Sequence, residues 1–165
     1  MFYNPFHRLL LILVTGSLLF LGACSSGHDH YSAIGIVLTI DGDMIAVQEQ
    51  TVITYATGNA ITIPAGATTA AIKVQFLDDD GTPFTPERSG YSLRVTIGNP
   101  AVLDVAHPVN NDEWSIRLTG SQPGNTTLQF DLDHGDHSDF TSREFQVNVL
   151  APQADVDFAG NKLSL

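Results

Sequence analysis

The sequence has 165 residues, 43% hydrophobic and only 15% charged, with 18 acidic residues against 7 basic ones and a net charge of −11. That length leaves room for one domain with a real core, and a single cysteine excludes an intrachain disulfide framework. The acidic balance argues against nucleic acid as a partner, because phosphate binding needs a basic surface.

The first element is an uncharged run from Leu9 to Leu21, LLLILVTGSLLFL, preceded by Arg8 and the amino terminus. It is too short to span a bilayer comfortably and reads as the apolar helix of a signal peptide. The run ends at Leu21-Gly22-Ala23-Cys24, where two small residues ahead of the cysteine suit a peptidase cleft. These four residues resemble the bacterial lipobox. The resemblance implies diacylglycerol transfer to Cys24, cleavage after Ala23 and acylation of the new amino terminus, hence membrane attachment through a lipid anchor in the cell envelope. Ser25 in the next position implies, by the same resemblance, the outer membrane where the bacterium is diderm, with the protein facing the periplasm or the cell surface. Residues 1–23 are then the cleaved signal peptide and residues 24–33 a short flexible tether.

Period-2 alternation dominates from residue 34 to residue 150, and no stretch keeps a helical period. Ile34, Ile36, Leu38 and Ile40 share one face, and Asp41-Gly42-Asp43 turns the chain back, so an opening hairpin is expected over 34–50. Extended pieces follow at Val52 to Tyr55 and Ala60 to Ile63. Ile72, Val74 and Phe76 alternate up to a turn at Asp78-Asp79-Asp80-Gly81. Leu93, Val95 and Ile97 alternate next, with Arg94 directed outward to pair with acids on a neighbouring strand. Val102 to Val105 makes a short strand, and His107-Pro108 reads as part of a loop. Trp114, Ile116 and Leu118 form the inward face of another strand, with Arg117 outward like Arg94. Leu128, Phe130 and Leu132, then Phe145, Val147 and Val149, complete the set, and residues 151–165 form a tail.

Short strands at even spacing predict an all-β fold, an Ig-like β-sandwich of about seven to nine strands behind the signal peptide and tether. From Ala60 to Leu150 the residues resemble bacterial immunoglobulin-like domains of the group-2, intimin and invasin type. Val74-Gln75-Phe76-Leu77-Asp78-Asp79-Asp80-Gly81, Asn99-Pro100-Ala101-Val102-Leu103-Asp104-Val105 and the Gly120-to-Leu128 turn into a strand carry that resemblance. It implies a spacer, an adhesive module or a binding platform, and does not choose among them.

Enzyme signatures are missing: there is no G-x-S-x-G elbow, no phosphate-cradling glycine loop and no H-E-x-x-H. A non-catalytic module is therefore expected. The segment Asp131-Leu132-Asp133-His134-Gly135-Asp136-His137-Ser138-Asp139 holds two histidines three apart and four carboxylates. Such spacing lets two imidazoles face one point, and neutral imidazole is a favoured ligand of Zn²⁺ and Cu²⁺. His28-Asp29-His30 repeats the pattern beside the lipid. The candidate ligands are His134, His137, His28 and His30, with Asp133 and Asp136 as the carboxylates; the bland alternative is a solvated loop. Two functions follow: a lipid-anchored binding module that engages a metal ion or an envelope protein, or a structural or adhesive module that contacts protein or glycan with no metal role.

Overall fold

The alternating β-branched and aromatic residues form strands throughout residues 31–152, the part of the chain described by the computed structural model. The expected signal peptide, the lipobox Leu21 to Cys24, the tether histidines His28 and His30, and the tail from residue 153 lie outside the described residues. Among the described residues there are 12 strands and no helix, more strands than the seven to nine expected. In chain order the first six are β1 (Gly35–Ile40), β2 (Asp43–Glu49), β3 (Val52–Tyr55), β4 (Ile61–Pro64), β5 (Ile72–Leu77) and β6 (Pro83–Phe84). The rest are β7 (Tyr91–Ile97), β8 (Leu103–Ala106), β9 (Ser115–Gly120), β10 (Gly124–His134), β11 (His137–Thr141) and β12 (Phe145–Leu150). The excess comes from the short β6 and from β11, which occupies a stretch that the sequence left as a polar loop.

One sheet runs β3-β2-β1-β5-β9-β8 with β6 beside β5, and the other runs β11-β10-β12-β4 with β7 on the far side of β10. Strands β5, β9 and β8 take the B, E and D positions of an immunoglobulin-type sandwich, and β7, β10 and β12 take C, F and G. The opening hairpin stands beside β5, where strand A would lie, and β3 extends that sheet further. It turns on Asp41 (φ 52°) and Gly42 (φ 92°), two successive positive φ values that match the right-handed strand twist. Close packing fixes another glycine: a Cβ on Gly35 would collide with the Gln48 carbonyl oxygen. The β2–β3 extension is tied across to the second sheet, with the Arg143 amide donating to Gln48 Oε1 and the Gln146 amide to the Tyr55 hydroxyl, each at 2.7 Å.

The inward residues of both sheets form one core. Ile36, Leu38, Val74, Phe76, Ile116 and Leu118 face Leu128, Phe130, Leu132, Phe145 and Val147, all fully or almost fully buried. Each such side chain contributes about 1.5–3 kcal/mol by leaving water. The aromatic rings meet edge to face, Phe130 on Phe145 at 5.6 Å, and Phe76 on both Trp114 at 6.0 Å and Phe140 at 5.8 Å. Trp114 thus sits at the rim of the core. Tyr31 and Ala33, which the sequence assigned to the tether, also pack on this core, so the folded unit begins at least three residues earlier than expected.

Outward-facing Arg94 pairs as expected, reaching Asp131 at 3.1 Å and Asp133 at 2.7 Å on β10. Arg117 stands opposite Ala106 of β8, and its Nε is buried with no hydrogen-bond partner among the described residues.

Candidate metal centre

The segment expected as a loop is a β-hairpin. Strands β10 and β11 are joined by Gly135-Asp136 alone, with Gly135 at φ 64°, so glycine occupies the first turn position where a left-handed backbone is needed. A two-residue turn places His134 and His137 directly opposite each other across the ladder, with ring centroids 5.6 Å apart. On the other side of β10, His134 is paired with Tyr91 of β7. The two rings stack at 4.1 Å with their planes 11° apart.

Below the turn the pairing slips by one residue. Asp133 faces Ser138, but Leu132 faces Phe140, which leaves Asp139 as the extra residue of a β-bulge. In such a bulge two successive side chains share a side, so Phe140 reaches the core while Asp139 turns toward the histidines. Its side chain is only 6% exposed, against 24% for His134 and 50% for His137. One carboxylate oxygen lies 3.0 Å from His137 Nε2 and the other 3.8 Å from His134 Nδ1. One ligand atom from each of these three residues can be chosen so that all lie within 4.8 Å of one another. Ligands about 2.0–2.2 Å from a tetrahedral ion stand roughly 3.3 Å apart, so the three atoms would draw together to hold one.

The surrounding groups set the protonation of this cluster. Asp136 accepts from His137 Nδ1 at 3.2 Å and Asp139 from Nε2 at 3.0 Å in the protonated ring, so a metal ion bound at Nε2 would take the place of the proton shared with Asp139. Hydrogen bonding to Asp136 is the main reason the His137 pKa lies above its ordinary value; slight burial opposes it and the Asp139 charge adds to it. Burial raises the Tyr91 pKa, the Tyr31 amide opposes this, and a hydrogen bond to Asp139 raises it further. The phenol therefore stays protonated and donates to the Asp139 carboxylate while accepting from the Tyr31 amide at 3.3 Å.

Of the residues singled out in the sequence, His134 and His137 are brought together, and Asp136 supports His137 from outside. Asp133 faces away from the imidazoles. Its carboxylate takes two hydrogen bonds from Arg94, at 2.7 and 3.0 Å, and another from the Ser138 hydroxyl. Hydrogen bonding from Arg94, outweighing the opposing effect of burial, holds its pKa below the usual carboxylate value. The carboxylate beside both histidines is Asp139. A signal for it was present, because reading Gly-Asp as a two-residue turn pairs His134 with His137 and puts Asp133 on the opposite face by alternation. His107, expected to be part of a loop, lies between β8 and β9 with its Nε2 2.8 Å from the Glu113 carbonyl oxygen.

No protein-family model matches the sequence, and no curated protein matches it significantly. Among solved structures the chain is similar to domains 4 and 5 of the S-layer protein SbsC, at 20% identity and a TM-score of 0.40, covering 64% of this chain and 64% of that one. It is also similar to surface layer protein SbsC, domains 1-6, at 15% identity and a TM-score of 0.41, covering 77% of this chain and 21% of that one. The chain thus spans less than two thirds of the length of either structure.

Proposed function

We propose that this protein is a lipid-anchored, non-catalytic module of the bacterial cell envelope that binds a divalent transition metal, Zn²⁺ or Cu²⁺, through His134, His137 and Asp139. The observation that carries the reading is the bulge in β11, which brings a nearly buried carboxylate to two imidazoles already paired across a tight turn. Ring nitrogen and carboxylate oxygen together suit these ions better than Ca²⁺ or Mg²⁺, which take oxygen ligands alone. Envelope attachment rests on the lipobox resemblance at Leu21 to Cys24. Calorimetric titration of the detergent-solubilised protein with Zn²⁺ tests the site. One ion should bind per chain, and His134→Ala with His137→Ala should abolish the heat; equal binding by this variant would reject the site.

A second reading, a structural or adhesive module that contacts protein or glycan, draws on a different region. The edge strand β3 exposes Val52 to 64%, beside an open groove of about 690 Å³ lined by Ile53, Tyr55, Gln129, Arg143 and Glu144 among others. An unpaired apolar edge can accept a strand from a partner. A folded protein that takes up no Zn²⁺ would favour this reading.

A further inference from the structure

Strand β3 ends its sheet: β2 pairs with one side of it, and among the described residues no strand pairs with the other. The Ala56 amide donates to the Ile45 carbonyl oxygen, so by antiparallel alternation Thr54 and Val52 also turn their backbone groups toward β2. The amides and carbonyls of Ile53 and Tyr55 therefore point out from the sheet edge. Open edges are normally blunted by a charge, a proline or a bulge, and Val52-Ile53-Thr54-Tyr55 has none of these. The strand is also firmly held. The Tyr55 hydroxyl accepts from the Gln146 amide at 2.7 Å and its ring meets Phe145 edge-on at 6.4 Å, so the edge is ordered before any partner arrives.

We propose that β3 pairs with β3 of a second copy of this chain, antiparallel about a two-fold axis, joining the first sheets of the two copies. This names the partner for the edge contact of the second reading, on which it rests, and is independent of the metal site. Symmetry fixes the register. Paired residues of a continuous sheet share a face, and the outward groups belong to Ile53 and Tyr55, so Ile53 of each copy exchanges hydrogen bonds with Tyr55 of the other, about four in all. The axis then passes at Thr54, which meets Thr54 of the second copy in a non-hydrogen-bonded pair on the solvent face, where Thr pairs are favourable. Val52, 64% exposed, comes opposite Ala56 and is partly withdrawn from water.

The flank of the edge is self-complementary as well, as a two-fold contact requires. The groove of about 690 Å³ beside β3 holds Arg143 and Glu144, both exposed. A two-fold sets groove against groove on the same side of the joined sheet, so Arg143 of each copy faces Glu144 of the other. The rest of the chain is acidic, with a net charge of −11, and repulsion between copies keeps the dimer reversible.

The test uses the full-length protein in detergent with EDTA present, by sedimentation velocity over a range of concentrations and by oxidative cross-linking. The expected result is a concentration-dependent dimer, weakened at least tenfold by Thr54→Lys, which sets like charges opposite each other at the axis. Arg143→Glu should weaken it too, and Arg143→Glu with Glu144→Arg should restore it, because the crosswise pairs re-form. Thr54→Cys should give a disulfide dimer under conditions that leave wild type unlinked, since non-hydrogen-bonded partners stand about 4.5 Å apart at Cα, within disulfide reach. Val52→Cys should not, because its two copies lie roughly 13 Å apart. These side chains are exposed, so circular dichroism should be unchanged in every variant. A dimer that Thr54→Lys leaves intact would overturn the proposal by placing the interface elsewhere. A monomer at every concentration would also overturn it: rapid amide exchange at Ile53 and Tyr55 in that monomer would leave the edge contact of the second reading standing, and slow exchange would remove both.

Discussion

Tyr91 lies flat against His134, the two rings stacked at 4.1 Å from directly paired positions on β7 and β10. The stack fixes the plane of the imidazole, and the phenol hydroxyl joins Asp139 to the Tyr31 amide. These roles separate by substitution. Tyr91→Phe keeps the stack and removes the hydroxyl, so unfolding in urea should show a loss of about 0.5–1.5 kcal/mol with Zn²⁺ affinity within a few-fold of wild type. Tyr91→Ala frees the ring and opens a cavity, costing about 3 kcal/mol or more and weakening Zn²⁺ binding by at least tenfold. Equal Zn²⁺ affinities in the two variants would show that ring stacking does not organise the site.

The carboxylates near the turn should respond unequally. Asp139→Asn removes the charge of the proposed carboxylate ligand and should lower Zn²⁺ affinity by at least tenfold, whereas Asp133→Asn leaves the imidazoles untouched and should bind Zn²⁺ as wild type does. A larger effect at Asp133 than at Asp139 would mean that the bulge does not aim Asp139 at the ion.

Zn²⁺ binding should fall with acid, because protons compete for the ring nitrogens. Since Asp136 raises the His137 pKa above its ordinary value of 6.5, the loss should begin above pH 6.5 rather than below it. Asp136→Asn should move the midpoint of a pH titration of bound Zn²⁺ to lower pH. An unmoved midpoint would show that Asp136 does not control His137.

Fold and site were unequally legible. The β1–β2 hairpin could be read because Asp41-Gly42 is a strong turn signal between alternating apolar residues, and the inward faces of β5, β7, β9, β10 and β12 followed from period-2 patterning. The β10–β11 hairpin was legible only at its Gly135-Asp136 turn. His137-Ser138-Asp139-Phe140-Thr141 has no apolar alternation, and the bulge places two successive side chains on one side, which breaks the parity rule on which pattern reading depends. The parallel pairing of β4 with β12 joins segments about 85 residues apart in the chain and leaves no local mark.

Acid should also remove some stability through Asp133. Its pKa in the folded protein is held below the ordinary carboxylate value, so the contribution is complete above about pH 4 and fades as pH falls through the folded value. Arg94 is 53% exposed, and solvent screening keeps the contribution to about 1 kcal/mol at most. Thermal melts between pH 7 and pH 3 should show a shallower acid limb for Asp133→Asn than for wild type. A limb of equal slope would assign the acid sensitivity elsewhere.

The core and the anchor give the broadest test. Phe130 is fully buried against Phe145, and Phe130→Ala should cost about 3–5 kcal/mol in denaturant unfolding; a loss below about 1 kcal/mol would put that face of β10 outside the core. Cys24→Ala should lose metabolic palmitate labelling and either leave the membrane fraction or accumulate uncleaved. Partitioning into detergent as wild type does would reject the lipobox reading.

The first and last strands of the sandwich are both interior. β1 lies between β2 and β5, and β12 lies between β10 and β4. Tension applied at either end of the described residues therefore meets a strand held by ladders on both edges. Neither β1 nor β12 can be peeled away as an edge strand would be. Fraying of β1 and β12 is suppressed, and force on β1 is shared across the first sheet instead of opening it strand by strand.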